Sequence, residues 1–146
     1  MHSSTRTRLR VPEPRHSRGL VDTSVVIDAE GIDRDALPAQ LAVSAVTLAE
    51  LAAGPHAVVE PSERARRQEQ LQRAEATFDP LPVDVNVARA YGRVYAHVVA
   101  AGRKPRGRRT LDLLIAATAL AAGLPLYTRN AADFSELAGL LEIVAI

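Results

Sequence analysis

Gly19-Leu20-Val21-Asp22-Thr23-Ser24 decides how the rest of the chain is read. Leu20 and Val21 form a short run with no polar break, as in a strand covered on both faces, and Asp22 stands where that strand must stop. Working outward, four more apolar runs of strand length lie at 41–44, 81–83, 125–128 and 141–145. Helical patterns separate most of them. Ser44 can cap a helix over 45–53 that stops at Gly54-Pro55, and Ser62 can cap a polar helix reaching Thr77. Asp84 can cap the next helix, whose stripe of Val87, Tyr91, Val94 and Val98 has a helical period and which stops at Gly102. Thr110 can cap an apolar helix over 111–122, with Gly123 as its left-handed stop. Strands alternating with helices predict an α/β fold with a mainly parallel central sheet of about five strands, covered on both faces.

At 146 residues, with 47% hydrophobic and 24% charged, the chain has the length and composition of one globular domain. The first 18 residues carry Pro12, Pro14 and five Arg against a lone Glu13, with no apolar period. They predict a flexible basic N-terminal arm before a domain spanning 19–146. The absence of Cys excludes a disulfide framework, a zinc knuckle and a thiol nucleophile. No apolar run approaches the ~20 residues of a membrane span, and the first residues lack the apolar centre of a signal peptide, so the expected location is the cytoplasm, with no membrane partner. Net charge is only +1, but Arg103, Lys104, Arg106, Arg108 and Arg109 cluster just before the apolar helix at 111–122.

In open α/β sheets ligands collect beyond the carboxyl ends of the strands, so polar residues there carry the search for function. Asp22 follows the first strand directly, and Glu50 lies two turns into the helix after the second. Asp112 opens the apolar helix, and Asn130 follows Tyr127-Thr128, with Asp133 one turn later. A single acid at a helix start has a plain structural cause in the helix dipole. Several carboxylates gathered at one sheet edge raise one another's pKa values unless a cation neutralises them, which points to a metal. Oxygen ligands without Cys or suitably spaced His suit Mg²⁺ or Mn²⁺ and disfavour zinc. His2, His16, His56 and His97 are scattered and read as surface residues. No Ser-His-Asp or phosphate-loop motif is present.

Four stretches together resemble the PIN domain, and within it the VapC-type ribonuclease toxins of bacterial toxin–antitoxin modules. They are Leu20-Val21-Asp22-Thr23-Ser24-Val25-Val26-Ile27-Asp28, Val43-Ser44-Ala45-Val46-Thr47-Leu48-Ala49-Glu50-Leu51, Asp112-Leu113-Leu114-Ile115-Ala116-Ala117-Thr118-Ala119 and Thr128-Arg129-Asn130-Ala131-Ala132-Asp133-Phe134. The resemblance implies an α/β/α sandwich and a Mg²⁺- or Mn²⁺-dependent endoribonuclease, usually a homodimer, inhibited by a VapB-like antitoxin. It assigns Asp22, Glu50 and Asp112 to the first three acidic positions. Many relatives have Asp at the fourth, where this chain has Asn130, with Asp133 as the nearest acid. Ser24 matches a small polar position that faces the metal site.

Under this reading the metal polarises the scissile phosphate while the carboxylates position the attacking water. Ser24, Arg106, Arg108, Arg109 and Arg129 are then the expected contacts to RNA phosphates. With three Tyr and two Phe, base stacking is a minor resource, and RNA shape and phosphate placement carry recognition. A haloacid-dehalogenase-type phosphatase is a poor match, because the second Asp it needs is replaced by Ser24. A receiver domain is poorer, since the only Lys is Lys104. The alternative from another class is a non-catalytic PIN-like module that binds RNA or protein.

Overall fold

Residues 16–146 are described in a computed structural model. Strands β1 (Arg18–Val21), β2 (Gln40–Ala42), β3 (Leu126–Thr128) and β4 (Ile143–Ala145) alternate with helices α1 (Thr23–Ile27), α2 (Ala45–Ala53), α3 (Pro61–Thr77), α4 (Val85–Ala100) and α5 (Arg108–Ala122), the last four lying between β2 and β3. The sheet order is β2-β1-β3-β4 and every pairing is parallel. Neighbouring residues of a strand face opposite ways, and the two central strands use both faces. Leu20 and Leu126 join the larger core with Val94 and Val98 of α4 and Leu113 and Ile115 of α5. Val21 and Tyr127 join a smaller core with Val25, Val43 and Val144. Burial on both sides is why these strands read as continuous apolar runs. Gly19 has no room for a side chain, because a Cβ there would lie 2.5 Å from the Tyr127 ring.

The expected helix starts hold at two places. Ser44 Oγ accepts from Val46 N–H at 3.1 Å, and Asp84 Oδ1 accepts from Val87 N–H at 2.9 Å. Gly123 ends α5 in the left-handed conformation, with φ 67°.

Four expectations need correction. The run at 81–83 forms one parallel bridge, Leu81 to Ser44, rather than a strand, so the sheet has four strands. Pro80 and Pro82 flank Leu81 and have no N–H to donate, so pairing cannot spread along the run. The cap of α3 is Glu60, not Ser62: its carboxylate accepts from Ser62 N–H and Glu63 N–H, and Pro61 takes the first helical position that its fixed φ favours. Helix α5 starts at Arg108, with Gly107 rather than Thr110 as its cap, because Gly107 turns the chain with φ 54°. β1 begins at Arg18, inside the expected arm, and His16 pairs with Glu142 at 2.8 Å. The remainder of that arm, 1–15, lies outside the described residues. Among the described residues no helix is long and apolar enough to cross a membrane.

Candidate active site

The strand order reverses between β1 and β3: the chain runs from β1 to β2 on one side and returns to β3 on the other. The carboxyl end of such a switch point is open, because the connections leave it in opposite directions. Asp22 leaves β1 there and serves as the cap of α1. It is 6% exposed and its carboxylate is fixed from three directions. Oδ1 accepts from Val25 N–H at 3.2 Å and from the Ser24 hydroxyl at 2.5 Å, while Oδ2 accepts from the Thr128 hydroxyl at 2.5 Å. Thr128, fully buried at the end of β3, in turn accepts from Asn130 N–H at 3.0 Å.

Glu50 projects from α2 toward the same edge. The Thr23 hydroxyl, next along from Asp22, donates to Glu50 Oε1 at 2.8 Å and lies 3.0 Å from the Thr47 hydroxyl. Asp112 enters from the second turn of α5. Burial pushes its carboxyl above the ordinary value, and repulsion from Glu50 adds to this. Arg109 and Arg108 oppose the rise, and Asp22 contributes a smaller push upward. Asp22, Glu50 and Asp112 therefore share one electrostatic environment, although among the described residues no three acids or imidazoles close into a cage around an ion. Asn130 and Asp133 are exposed at the start of the 3-10 segment Ala131–Leu137, joined by a 2.9 Å bond from Asp133 N–H to the Asn130 carbonyl.

The basic residues divide. Arg108 is exposed and extends over the acids, with Nη2 3.9 Å from Glu50 Oε2. Arg106 is exposed on the loop before α5. Arg129 leans on Asp28 at 3.4 Å, and its N–H reaches the Ser24 hydroxyl at 3.4 Å. Arg109 is committed to the fold: it is hydrogen-bonded to Glu136, whose side chain is only 5% exposed, and its guanidinium stacks 5.4 Å from the Phe134 ring centroid. Beside Glu50 a groove of about 480 Å³ opens between α2, α3 and the start of α5, with Ile27, Ala53 and Leu111 on its walls and Arg66, Arg67 and Arg108 at its rim.

Sequence reading missed Thr23, Thr128 and Glu136. The two threonines carried a usable signal, since each sits at a strand end beside a candidate ligand. Glu136 carried none, because its partner Arg109 is 27 residues away.

Residues 19–140 match the PIN domain. Over 131 residues the chain is 37% identical to Ribonuclease VapC5 of Mycobacterium tuberculosis (strain ATCC 25618 / H37Rv), covering 88% of this chain and 93% of that protein. The chain belongs to the VapC-type PIN-domain family. Ribonuclease VapC8 of the same organism is 40% identical over 103 residues, covering 69% of this chain and 89% of that protein. Among solved structures, this PIN domain matches that of VapBC-5, a member of the VapBC family of toxin-antitoxin systems from Mycobacterium tuberculosis, with TM-score 0.78 and 36% identity over 89% of this chain and 99% of that one. It also matches FitAcB from Neisseria gonorrhoeae, with TM-score 0.65 and 26% identity over 85% and 95%.

Proposed function

We propose that this PIN-domain protein is an endoribonuclease dependent on Mg²⁺ or Mn²⁺, the toxin of a toxin–antitoxin pair, acting on RNA in the cytoplasm and restrained by a VapB-like antitoxin. The observation that carries this reading is the immobilised Asp22 carboxylate at the switch point, with Glu50 tied to the adjacent Thr23 and Asp112 repelled by both acids. The donor set is all oxygen. Oxygen donors suit a hard ion that keeps several waters and takes few protein ligands.

Asp22, Glu50 and Asp112 would hold the ion, with Asn130 and Asp133 nearer the rim. When bound, the ion supplies Lewis-acid charge at the scissile phosphate and makes a water easier to deprotonate. Thr128 and Ser24 keep Asp22 in one rotamer, so no reorganisation is needed when substrate arrives. Thr23 does the same for Glu50. Arg108, Arg106 and Arg129 face solvent around the acids and would bind flanking phosphates, while Arg109 does not. The groove beside Glu50, with an apolar wall and charged rim, suits an antitoxin segment that reaches the acids with a basic side chain.

The test is cleavage of RNA with and without Mn²⁺ by the intact chain and by Asp22→Asn, Glu50→Gln and Asp112→Asn. Loss of cleavage with retained RNA binding in the variants supports the reading. Wild-type cleavage in all three, or cleavage unaffected by chelation, overturns it.

A further inference from the structure

Arg103, Lys104, Arg106, Arg108 and Arg109 crowd the stretch that leaves α4 and enters α5. Lys104, Arg106 and Arg108 in the middle are exposed to solvent. The first and the last of the series turn instead toward one carboxylate. Glu136 lies on the segment Ala131–Leu137, and its side chain is only 5% exposed. Its Oε1 accepts from Arg109 Nη2, and Arg103 Nη1 lies 4.0 Å from its Oε2. That second oxygen is buried without a hydrogen-bond partner among the described residues.

A buried carboxylate is ordinarily saturated with donors, and an oxygen left short asks for a cause. Stability alone accounts for Arg109. It does not account for Arg103, whose side chain is 63% exposed and which therefore adds little to the fold. The geometry offers the span of the loop as the cause. Gly102, with φ 79°, closes α4 through bonds from Gly102 N–H to the Val99 carbonyl at 2.9 Å and from Arg103 N–H to the Val98 carbonyl at 3.1 Å, a pairing that aims the next residue. At the far end Gly107, with φ 54°, turns the chain, and Arg109 N–H donates to the Arg106 carbonyl at 3.1 Å. Each end is thus fixed locally, and Glu136 joins the two ends to each other. Phe134, 2% exposed, anchors the same segment in the core beneath the Arg109 guanidinium.

We propose that Glu136 is a positioning residue for RNA: by holding Arg103 and Arg109 together it fixes the loop 103–109 beside the acids, with Arg106 and Arg108 presented to flanking phosphates. The assignment rests on the nuclease reading above. A loop ordered before RNA arrives has less freedom to lose on binding, so the clamp acts on affinity and not on the reacting atoms. It also divides the cations by task, two for holding the loop and the exposed ones between them for substrate.

Trypsin reads the clamp without RNA, because Arg106 lies within the loop. Cleavage after Arg106, measured against cleavage within α3 of the same full-length chain, is expected to be about 10-fold faster in Glu136→Gln, as local opening no longer breaks the pairing. Arg103→Gln alters an exposed side chain and does not endanger the fold, and is expected to speed it about 3-fold, the worth of one exposed pair. With Mn²⁺ and a defined RNA, Glu136→Gln is expected to raise KM about 10-fold with a smaller change in kcat. Leu137→Ala, fully buried next to it, loses comparable stability with the clamp intact and is expected to keep the KM of the unaltered chain. Arg103→Gln added to Glu136→Gln is expected to change neither readout further, since its partner is already gone. Loop cleavage unchanged in both single variants, an unchanged KM in Glu136→Gln, a KM raised equally by Leu137→Ala, or a further rise in the double variant would each overturn the proposal. Absence of RNA cleavage by the unaltered chain would fail the nuclease reading instead, and the trypsin result would still decide the clamp.

Discussion

Replacing Thr128 by Val tests whether the site depends on a residue that is not itself a ligand. The substitution keeps the shape of a fully buried side chain and removes a hydroxyl that donates to Asp22 Oδ2 at 2.5 Å and accepts from Asn130 N–H at 3.0 Å. A hydrogen bond to a charged acceptor contributes about 1.5–3 kcal/mol, and the second, weaker bond about 0.5–1. The expected loss of stability is therefore about 2–4 kcal/mol, or roughly 4–16 °C in Tm for a chain of this size. Thr128→Ser retains the hydroxyl and gives up one methyl, a cost of about 1 kcal/mol. Urea denaturation of the metal-free protein, paired with Mn²⁺-dependent cleavage of a defined RNA, separates the two. Val should lose both stability and most of the rate, while Ser should lose little of either, because Asp22 remains held in one rotamer. Equal denaturation midpoints and equal rates for wild type and Thr128→Val would refute the argument. Thr128→Ser behaving as badly as Val would show that the methyl group, not the hydroxyl, supports the site.

Asp112→Asn should leave the metal-free protein at least as stable as wild type at neutral pH. The native carboxyl binds its proton more tightly than the ordinary 3.8, so wild type loses stability as pH rises from there through the raised native value, and the variant does not. Urea midpoints at mildly acidic and neutral pH check this, and a variant weaker at neutral pH would contradict it. Glu136→Gln leaves Arg109 without its anionic partner and should destabilise by about 3 kcal/mol, the low end for breaking a buried pair because Arg109 is 21% exposed. Thermal denaturation reads that loss. Arg106→Ala should leave Tm unchanged but weaken RNA binding and reduce its salt dependence by about one phosphate contact. Binding titrations across salt concentrations decide it.

The parallel sheet and the strand-end position of Asp22 were legible because both depend on local pattern. Leu20-Val21 is apolar since both sheet faces are covered, and Asp22 marks the strand end since a carboxylate cannot continue into that core. Legibility failed where backbone chemistry or distant pairing decides. Leu81 has the composition of a strand residue, but the prolines on either side withhold the N–H groups that a ladder needs. Ser62 is a better cap by type than Glu60, yet Pro61 fixes the first helical position and with it the cap. Arg109 and Arg108 are adjacent and alike in sequence. Only the placement of Glu136 and Phe134 separates a structural cation from one that faces the acids.

Asp22 joins the fold to the chemistry. One oxygen accepts the N–H that begins α1, and the other is held by a threonine of the neighbouring strand, so the site acid is also the joint between β1, β3 and the first helix. That joint can exist only because β1 is flanked by β2 and β3: were the strands in sequence order, Thr128 would not adjoin Asp22. Glu50 and Asp112 approach this edge from α2 and α5, two helices that pack against each other. Holding Asp112 charged at this edge costs stability, mainly because the carboxyl is buried and in part because Glu50 repels it. Arg109 and Arg108 temper that cost, with Arg108 Nη2 lying 3.9 Å from Glu50 Oε2.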